Sequence, residues 1–116
     1  MLFFKKREIT LGRVRDKVTF REGEEILELR VDSEAGKMMA GLKSVQVMLD
    51  GMTAEDAQGI EDAAEKISVT IFGKTQADKL REFYGGDAQA VIRACGAYTR
   101  KYLLKRITKV QEKAGK

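Results

Sequence analysis

The chain has 116 residues, a formal net charge of +4, a hydrophobic content of 43% and a charged content of 34%. This length accommodates one domain with a core of its own, and the composition excludes an intrinsically disordered chain. Histidine and proline are absent and cysteine occurs once, which removes the commonest metal ligand, the commonest general base near neutral pH and any intrachain disulfide.

The first elements are predicted to be β-strands. Apolar and polar side chains alternate in two runs of the sequence. Gly12 offers a turn before the first run. A polar loop that contains a glycine separates it from the second run, which ends at Val31. We therefore predict an antiparallel hairpin from about Val14 to Val31, inside a β region of residues 7–31. Because a two-stranded hairpin is marginal alone, its apolar face must lie on helices or on a third strand, which residues 7–11 could supply.

The helical region is predicted over residues 33–113. At Asp32 and Ser33 the period of apolar side chains changes from two to 3.6. The stripe of the first helix is Met38, Leu42, Val45, Leu49 and Met52. Gly36 and Gly41 each cost about 1 kcal/mol in a helix interior, and either close packing of another backbone or a flexible first turn would explain them. Methionine-rich stripes suit both irregular cores and adaptable binding surfaces, and here we favour core filling.

Capping patterns predict two further helices. Thr53 with Asp56 begins the second helix, which runs to about Phe72, and Thr75 with Asp78 begins a short third helix. The stripe of the second helix is Ala57, Ile60, Ala64, Ile67 and Ile71. Its other faces are acidic, and we interpret these carboxylates as solvated rather than catalytic, because nothing in the sequence would perturb their pKa values.

The last helix is predicted over Asp87–Lys113, with Asp87 as its N-cap. One apolar stripe on it is Val91, Cys95, Tyr98 and Tyr102, and a second is Leu103, Ile107 and Val110. At 100° per residue the second stripe is rotated by about a quarter turn from the first, so that one helix offers two apolar faces. We expect the first to pack in the core. The second is a docking strip for a partner, or else the N-terminal hairpin covers it.

Basic residues are concentrated near the end of the chain. Residues 93–116 contain eight Lys or Arg and one Glu, whereas residues 54–92 contain four bases and eight acids. Combined with the second stripe, they give a candidate partner-binding surface of seven residues: Arg100, Leu103, Lys105, Arg106, Ile107, Lys109 and Val110. The alternatives are a nucleic-acid-binding helix that neutralises phosphates, a self-assembling subunit whose acidic middle meets the basic end of another copy, and charges that pair within one chain or face solvent.

No catalytic residue, cofactor or metal site is predicted. Cys95 lies on an apolar stripe and has no histidine to pair with, so we predict a buried structural thiol, which suits a reducing cytoplasm. The N-terminal residues do not follow the order of a secretory signal, and nowhere do about 18 apolar residues run together. We therefore predict neither export nor a membrane span, and a cytoplasmic protein.

Four features of the run from Phe72 to about Gln111 point to a known class of proteins. They are Phe72-Gly73, the Leu80-x-x-Phe83-Tyr84 pair, Asp87 as a cap, and Val91 to Tyr98 on the closing helix. With these features the run resembles small proteins encoded in the tail-assembly regions of phages and prophages of Gram-positive bacteria. The resemblance implies a tail-assembly chaperone or tail component that binds a tape-measure protein or tail-tube subunits in the cytoplasm of a bacterial host, without an enzymatic reaction.

Taken together, the sequence predicts a single α+β domain over residues 1–116. An N-terminal antiparallel hairpin of two or three strands packs on a dominant bundle of about four helices. The predicted function is non-enzymatic protein binding in phage-like assembly, with a protein partner or a second copy of the chain bound at the basic closing helix.

Overall fold

The structure, a computed structural model, describes residues 12–114 and has the α+β fold that the sequence predicts. A two-stranded antiparallel sheet, β1 (Arg13–Glu22) and β2 (Glu25–Glu34), comes first. The helices are α1 (Ala35–Asp50), α2 (Ala57–Phe72), α3 (Lys74–Phe83), α4 (Ala88–Tyr98) and α5 (Leu104–Ala114), with a π-helical turn (Thr99–Leu103) joining α4 to α5.

The hairpin is confirmed, and its turn follows from the sequence. Glu22 pairs with Glu25, so only two residues connect the strands. Gly23 has a φ of +62° and Glu24 does not have a positive φ, which matches a type II′ turn with glycine first. The apolar side chains on one face are buried: Val14, Val18, Phe20, Leu29 and Val31. The predicted third strand, residues 7–11, lies outside the described residues.

The first helix begins later than predicted. The sequence predicts its start at Asp32 and Ser33, but strand pairing continues to Glu34, which lies opposite Arg13. The backbone N–H of Ala35 then donates to the carbonyl oxygen of Gly12 at 2.7 Å, and the helix starts there. Strand pairing therefore overrides the change of period in the local sequence. Of the predicted stripe, Met38 and Val45 are buried, Leu42 and Leu49 are partly buried, and Met52 lies beyond the end of α1.

Close packing explains one of the two glycines in α1. A Cβ built on Gly41 would lie 2.5 Å from Cγ2 and 2.7 Å from Oγ1 of Thr70, a residue of α2. The backbone of α1 therefore approaches the side chains of α2 more closely than alanine allows. At Gly36 an added Cβ would meet only the carboxylate of Glu34, at 3.4 Å, so packing does not explain that glycine.

The predicted caps of the second and third helices are wrong. Asp56, rather than Thr53, caps α2: its carboxylate accepts from the backbone N–H of Gly59 at 2.9 Å. At the next helix, Gly73 ends α2 and immediately precedes α3, with a φ of +83° that favours glycine. A helix that starts directly at residue 74 leaves Thr75 inside its first turn, where it caps nothing. Of the predicted α2 stripe, Ala64, Ile67 and Ile71 are buried, Ile60 is partly buried and Ala57 is exposed.

The closing helical run contains a π-helical turn that the sequence pattern does not predict. The run begins as expected, because the Asp87 carboxylate accepts from the N–H of Ala90 at 3.2 Å. At the end of the turn, the N–H of Leu104 donates to the carbonyl oxygen of Thr99, five residues earlier. A π turn accommodates one more residue than an α turn. Tyr98 and Leu103, five positions apart, therefore lie on the same side of the helical run.

The predicted separation into two apolar faces is therefore wrong. Of the predicted core stripe Tyr98 is buried but Tyr102 is 57% exposed, so the expectation that Tyr102 packs in the core is wrong. Leu103 and Ile107 have no exposed surface, and Val110 is half-buried against the core. α5 packs against α1 and β1, and a Cβ added to Gly12 would lie 3.5 Å from Val110. The alternative that the hairpin region covers the second stripe is correct, with α1 sharing the contact.

Three aromatic rings connect the hairpin to the helices. Phe72 of α2 meets Phe20 of β1 edge to face, with ring centroids 5.8 Å apart, and stacks on Tyr98 of α4 at 6.2 Å. At the other strand, the side-chain amide of Gln76 donates to the carbonyl oxygen of Arg30 at 2.7 Å and accepts from its N–H at 2.8 Å. The hairpin is thus held against the helices by aromatic packing and by the Gln76 side chain, which makes the two backbone hydrogen bonds that a neighbouring strand would make to Arg30.

Replacing Gly41 by alanine tests the close contact of α1 with α2. We expect Gly41→Ala to lower the free energy of unfolding by about 1–3 kcal/mol, because the new methyl group overlaps the β-branched Thr70 side chain. Gly36→Ala is the matched control in the same helix and should raise stability by up to about 1 kcal/mol through helix propensity. Urea unfolding measures both, and a Gly41→Ala protein as stable as Gly36→Ala would contradict the contact.

Truncating Ile107 tests the burial of the second stripe. Ile107→Ala should cost about 2–5 kcal/mol, the range for large-to-small changes in a core. Leu104→Ala, three residues earlier on the exposed side, should cost about 1 kcal/mol or less. Thermal or urea unfolding provides the comparison. Similar small losses in both variants would mean that the stripe is exposed.

Candidate functional site

In the structure, the residues of the predicted partner-binding surface fall into an inward-facing apolar half and an exposed basic half. Its apolar half, Leu103, Ile107 and Val110, faces the protein's own core. A docking strip made of these side chains is therefore wrong, because the π turn directs them inward. Of the basic half, Arg100, Lys105, Arg106 and Lys109 are exposed.

Arg106 has a structural role. Its Nε lies 3.0 Å from Oδ2 of Asp16 on β1, and the hydroxyl of Tyr98 donates to the same oxygen at 2.8 Å. The Asp16 side chain is only 15% exposed, so this ion pair is better shielded than a surface pair. Burial and the hydrogen bond to Asp16 raise the pKa of Tyr98 above its usual range, so the hydroxyl remains a donor at alkaline pH as well as at neutral pH. Arg106 thus links the closing helix to the hairpin and is a poor probe of partner binding.

An open apolar groove lies between α1 on one side and α4, the π turn and the start of α5 on the other. Its volume is about 430 Å³. The apolar lining includes Met39, Leu42, Leu49, Ile67, Ile92 and Leu104. α2 packs against both α1 and α4, and its Ile67 contributes to the lining between them. We call this feature the α1–α4 groove.

A glycine on one wall of the α1–α4 groove and a flexible methionine on the other determine its shape. Gly96 on α4 leaves room above the helix, and a Cβ there would lie 3.1 Å from Nη1 of Arg100. The Arg100 side chain therefore lies back over Gly96 along the wall. On the opposite wall Met39 supplies a flexible, polarisable side chain that can adjust to different shapes. Leu104, 38% exposed, is at the end of the groove.

The charged lining of the groove has one sign. Lys43, Arg93 and Arg100 line it, and no acidic residue does. Beyond Leu104 the surface continues as a shallow depression along α5 that includes Lys105 and Lys109, with Glu112 at its far end. Within residues 12–114 none of these five cations forms an ion pair. The groove therefore combines an apolar floor with a positive rim.

The acidic face of α2 is largely occupied by charges of the same chain. Glu61 pairs with Arg81 of α3, and Glu65 lies 2.7 Å from Lys74, which also contacts Asp78 at 3.1 Å. These contacts correspond to the alternative in which the charges pair within one chain. They leave this part of α2 less suited to meet the basic end of another copy.

A second depression, of about 460 Å³, lies beside the hairpin turn. Glu22, Asp87 and Arg93 line it together with the rings of Phe83 and Tyr84. Although it is slightly larger than the groove, its lining mixes both charges and includes fewer aliphatic side chains. We therefore regard the α1–α4 groove as the better candidate site.

The single cysteine is buried in the core. Cys95 is buried as predicted, and burial raises its pKa to about 12, so the thiol stays protonated near neutral pH. Residues 12–114 contain no cluster of three or more Cys, Asp or Glu that could hold a metal ion. In the same part of the chain, no helix has the length and apolar character needed to cross a bilayer.

The sequence identifies only part of the groove. It places Leu42 and Leu49 on the core stripe of the first helix and Arg100 on the binding surface, but Ile92 and Leu104 belong to neither predicted stripe. Each of these two follows a buried stripe residue directly, Val91 or Leu103. An apolar residue directly after a stripe residue is therefore the sequence signal that could have identified this part of the groove, because it makes the apolar surface of the helix wider than the core requires.

Comparison with known proteins gives no relative. No protein-family model, curated protein or solved structure matches the chain. The similarity of residues 72–111 to phage tail-assembly proteins therefore stays a prediction, and the groove is the basis on which a function can be proposed.

Proposed function

We propose that the protein is a non-enzymatic binding module that holds an amphipathic helix of a partner protein in the α1–α4 groove. The observation that carries this proposal is the open strip of aliphatic side chains between two helical walls. Helices commonly dock by laying an apolar face into such a groove, with anchors at positions i, i+3, i+4 and i+7.

The shape of the groove favours a helical segment over a compact ligand. The α1 residues that line the groove run from Met39 to Leu49, which corresponds to about 15 Å along a helix. The groove is open to solvent, whereas small-molecule sites bury most of their ligand and place a few polar groups to orient it. Here the polar side chains are mainly long cations at the rim. This arrangement suits an elongated occupant with one apolar side.

The biological context is proposed from the sequence resemblance. In a phage or prophage tail-assembly pathway, the partner would be a tape-measure protein or a tail-tube subunit, and the protein would act as a chaperone or tail component in the bacterial cytoplasm. A module that covers an apolar helix of an unassembled subunit would keep that helix from aggregating. The groove supports protein binding; the resemblance supplies the identity of the partner.

Nucleic-acid binding is the second candidate. Lys101, Lys105, Lys109 and Lys113 recur every four residues and are all exposed. Such a row neutralises phosphates and gives affinity that falls steeply with salt. Nucleic-acid binding by this row would leave the apolar floor of the groove without a role, however. We therefore prefer protein binding.

A model helix tests the proposed function. The probe is a labelled, stapled peptide of about 16 residues, long enough to span about 24 Å, with leucines at i, i+3, i+4 and i+7 and neutral polar residues elsewhere. Leu104→Glu and Met39→Glu should each weaken its binding by about tenfold or more, equivalent to about 1.4 kcal/mol, because a carboxylate is placed against the apolar contact. Fluorescence anisotropy measures the affinity.

The matched control is Val47→Glu. Val47 is on α1, is 72% exposed and does not line the groove. This variant should bind the peptide like the original protein, and the melting temperature of each variant shows whether it is folded. Absence of peptide binding by the original protein, or equal weakening by Val47→Glu, would contradict the proposal.

A further inference from the structure

We infer that the helix bound in the α1–α4 groove carries an acidic flank, so that the protein selects amphipathic helices with one apolar and one anionic side. This inference rests on the proposed function and specifies the chemistry of the partner. It is drawn from the distribution of charge around the groove.

Cations are present on both walls. Lys43 is on α1, whereas Arg93 and Arg100 are on the opposite wall, formed by α4 and the π turn. A helix lying on the apolar floor would have its flanks beside these side chains. Because no acidic residue lines the groove, a basic helix would meet repulsion on both sides, and an acidic one would meet attraction.

The positive surface continues past the end of the groove. Leu104 lines both the groove and the shallow depression that includes Lys105 and Lys109. Along this helical run, lysines four positions apart lie close enough to repel one another, which costs stability in the free protein. An anionic partner would relieve that repulsion. The lysines of this depression, with Glu112 at its far end, extend the positive surface available to an anionic flank.

The same groove argues against a polyanion as its occupant. Proteins that hold single-stranded nucleic acid provide aromatic side chains for stacking bases, and the lining of the α1–α4 groove contains none. A phosphate backbone would reach the lysines of α5 but leave the aliphatic floor exposed. A second copy is also a poor occupant, since Glu61 and Glu65 of the acidic α2 are already paired within the chain. An acidic amphipathic helix would contact the apolar floor with its apolar side and the positive rim with its acidic flanks.

Rim charges should act mainly on association and on salt dependence. Complementary charges speed encounter and suppress wrong partners more than they raise affinity. At low ionic strength we expect an acidic-flanked helix to bind about tenfold more tightly than a neutral one with the same apolar stripe. At about 0.5–1 M salt, where exposed charges are screened within a few ångströms, the difference should largely disappear.

Three peptides with one leucine stripe test the inference. Their flanks carry Glu, Gln or Lys at the same positions, and the expected order of affinity is Glu, then Gln, then Lys. In the triple variant Lys43→Glu/Arg93→Glu/Arg100→Glu the order should reverse, because the rim then changes sign on both walls. Lys37→Glu, an exposed lysine of α1 outside the groove, is the control and should keep the original order.

The outcomes separate this inference from the proposed function. Equal affinity for the three peptides, with binding still lost in Leu104→Glu, would overturn the acidic flank and leave helix binding intact. If none of the peptides binds, the proposed function itself fails. Tight binding of a labelled single-stranded DNA or RNA that weakens in Lys105→Glu/Lys109→Glu but not in Leu104→Glu would overturn the inference in favour of nucleic acid.

Discussion

The π-helical turn at Thr99–Leu103 determines how α5 meets the hairpin. Its hydrogen bond from Leu104 back to Thr99 adds one residue to a single turn of an otherwise α-helical run. That residue places Leu103 and Ile107 below Tyr98 on one side of the helix, all three buried. Without it, an ordinary α-helix would direct Leu103 and Ile107 away from the side of Tyr98, and α5 would have an exposed apolar stripe.

The placement of α5 has consequences on both of its sides. On the inner side, α5 covers α1 and the start of β1, and the carboxylate shared by Tyr98 and Arg106 fixes the hairpin against the closing helix. On the outer side, Arg100 and Leu104 are directed toward the α1–α4 groove, and Lys105 and Lys109 extend its positive rim. One backbone irregularity therefore completes the core and forms the end of the candidate binding surface. This agrees with the frequent occurrence of π turns at functional sites.

Most of the architecture could be predicted from local patterns, because the hairpin and the helices follow regular periods of apolar side chains. The alternation up to Val31 and the cap at Asp87 are such patterns, and both predictions are confirmed. The start of α1 could not be placed, since Glu34 is held by a pairing partner more than twenty residues earlier. Leu103, Ile107 and Val110 were predicted on the wrong side of the helix for one reason: a fixed angle of 100° per residue was applied across a turn with a different geometry. The groove is formed by α1, α2 and the closing helical run, which lie in separate parts of the sequence, so the sequence placed only Arg100 on a binding surface and assigned Leu42 and Leu49 to the core.

A pair of single-residue deletions tests the central role of the π turn most directly. Deleting Lys101, an exposed residue inside the turn, leaves Leu103 four positions after Tyr98, which an ordinary α-helix places on the same side. Deleting Lys105, an exposed residue of α5, instead rotates Ile107 by about 100° out of the core. In urea unfolding the Lys101 deletion should retain nearly all of the original stability, whereas the Lys105 deletion should lose about 2–5 kcal/mol. Equal losses in the two proteins, or a larger loss on deleting Lys101, would contradict this account.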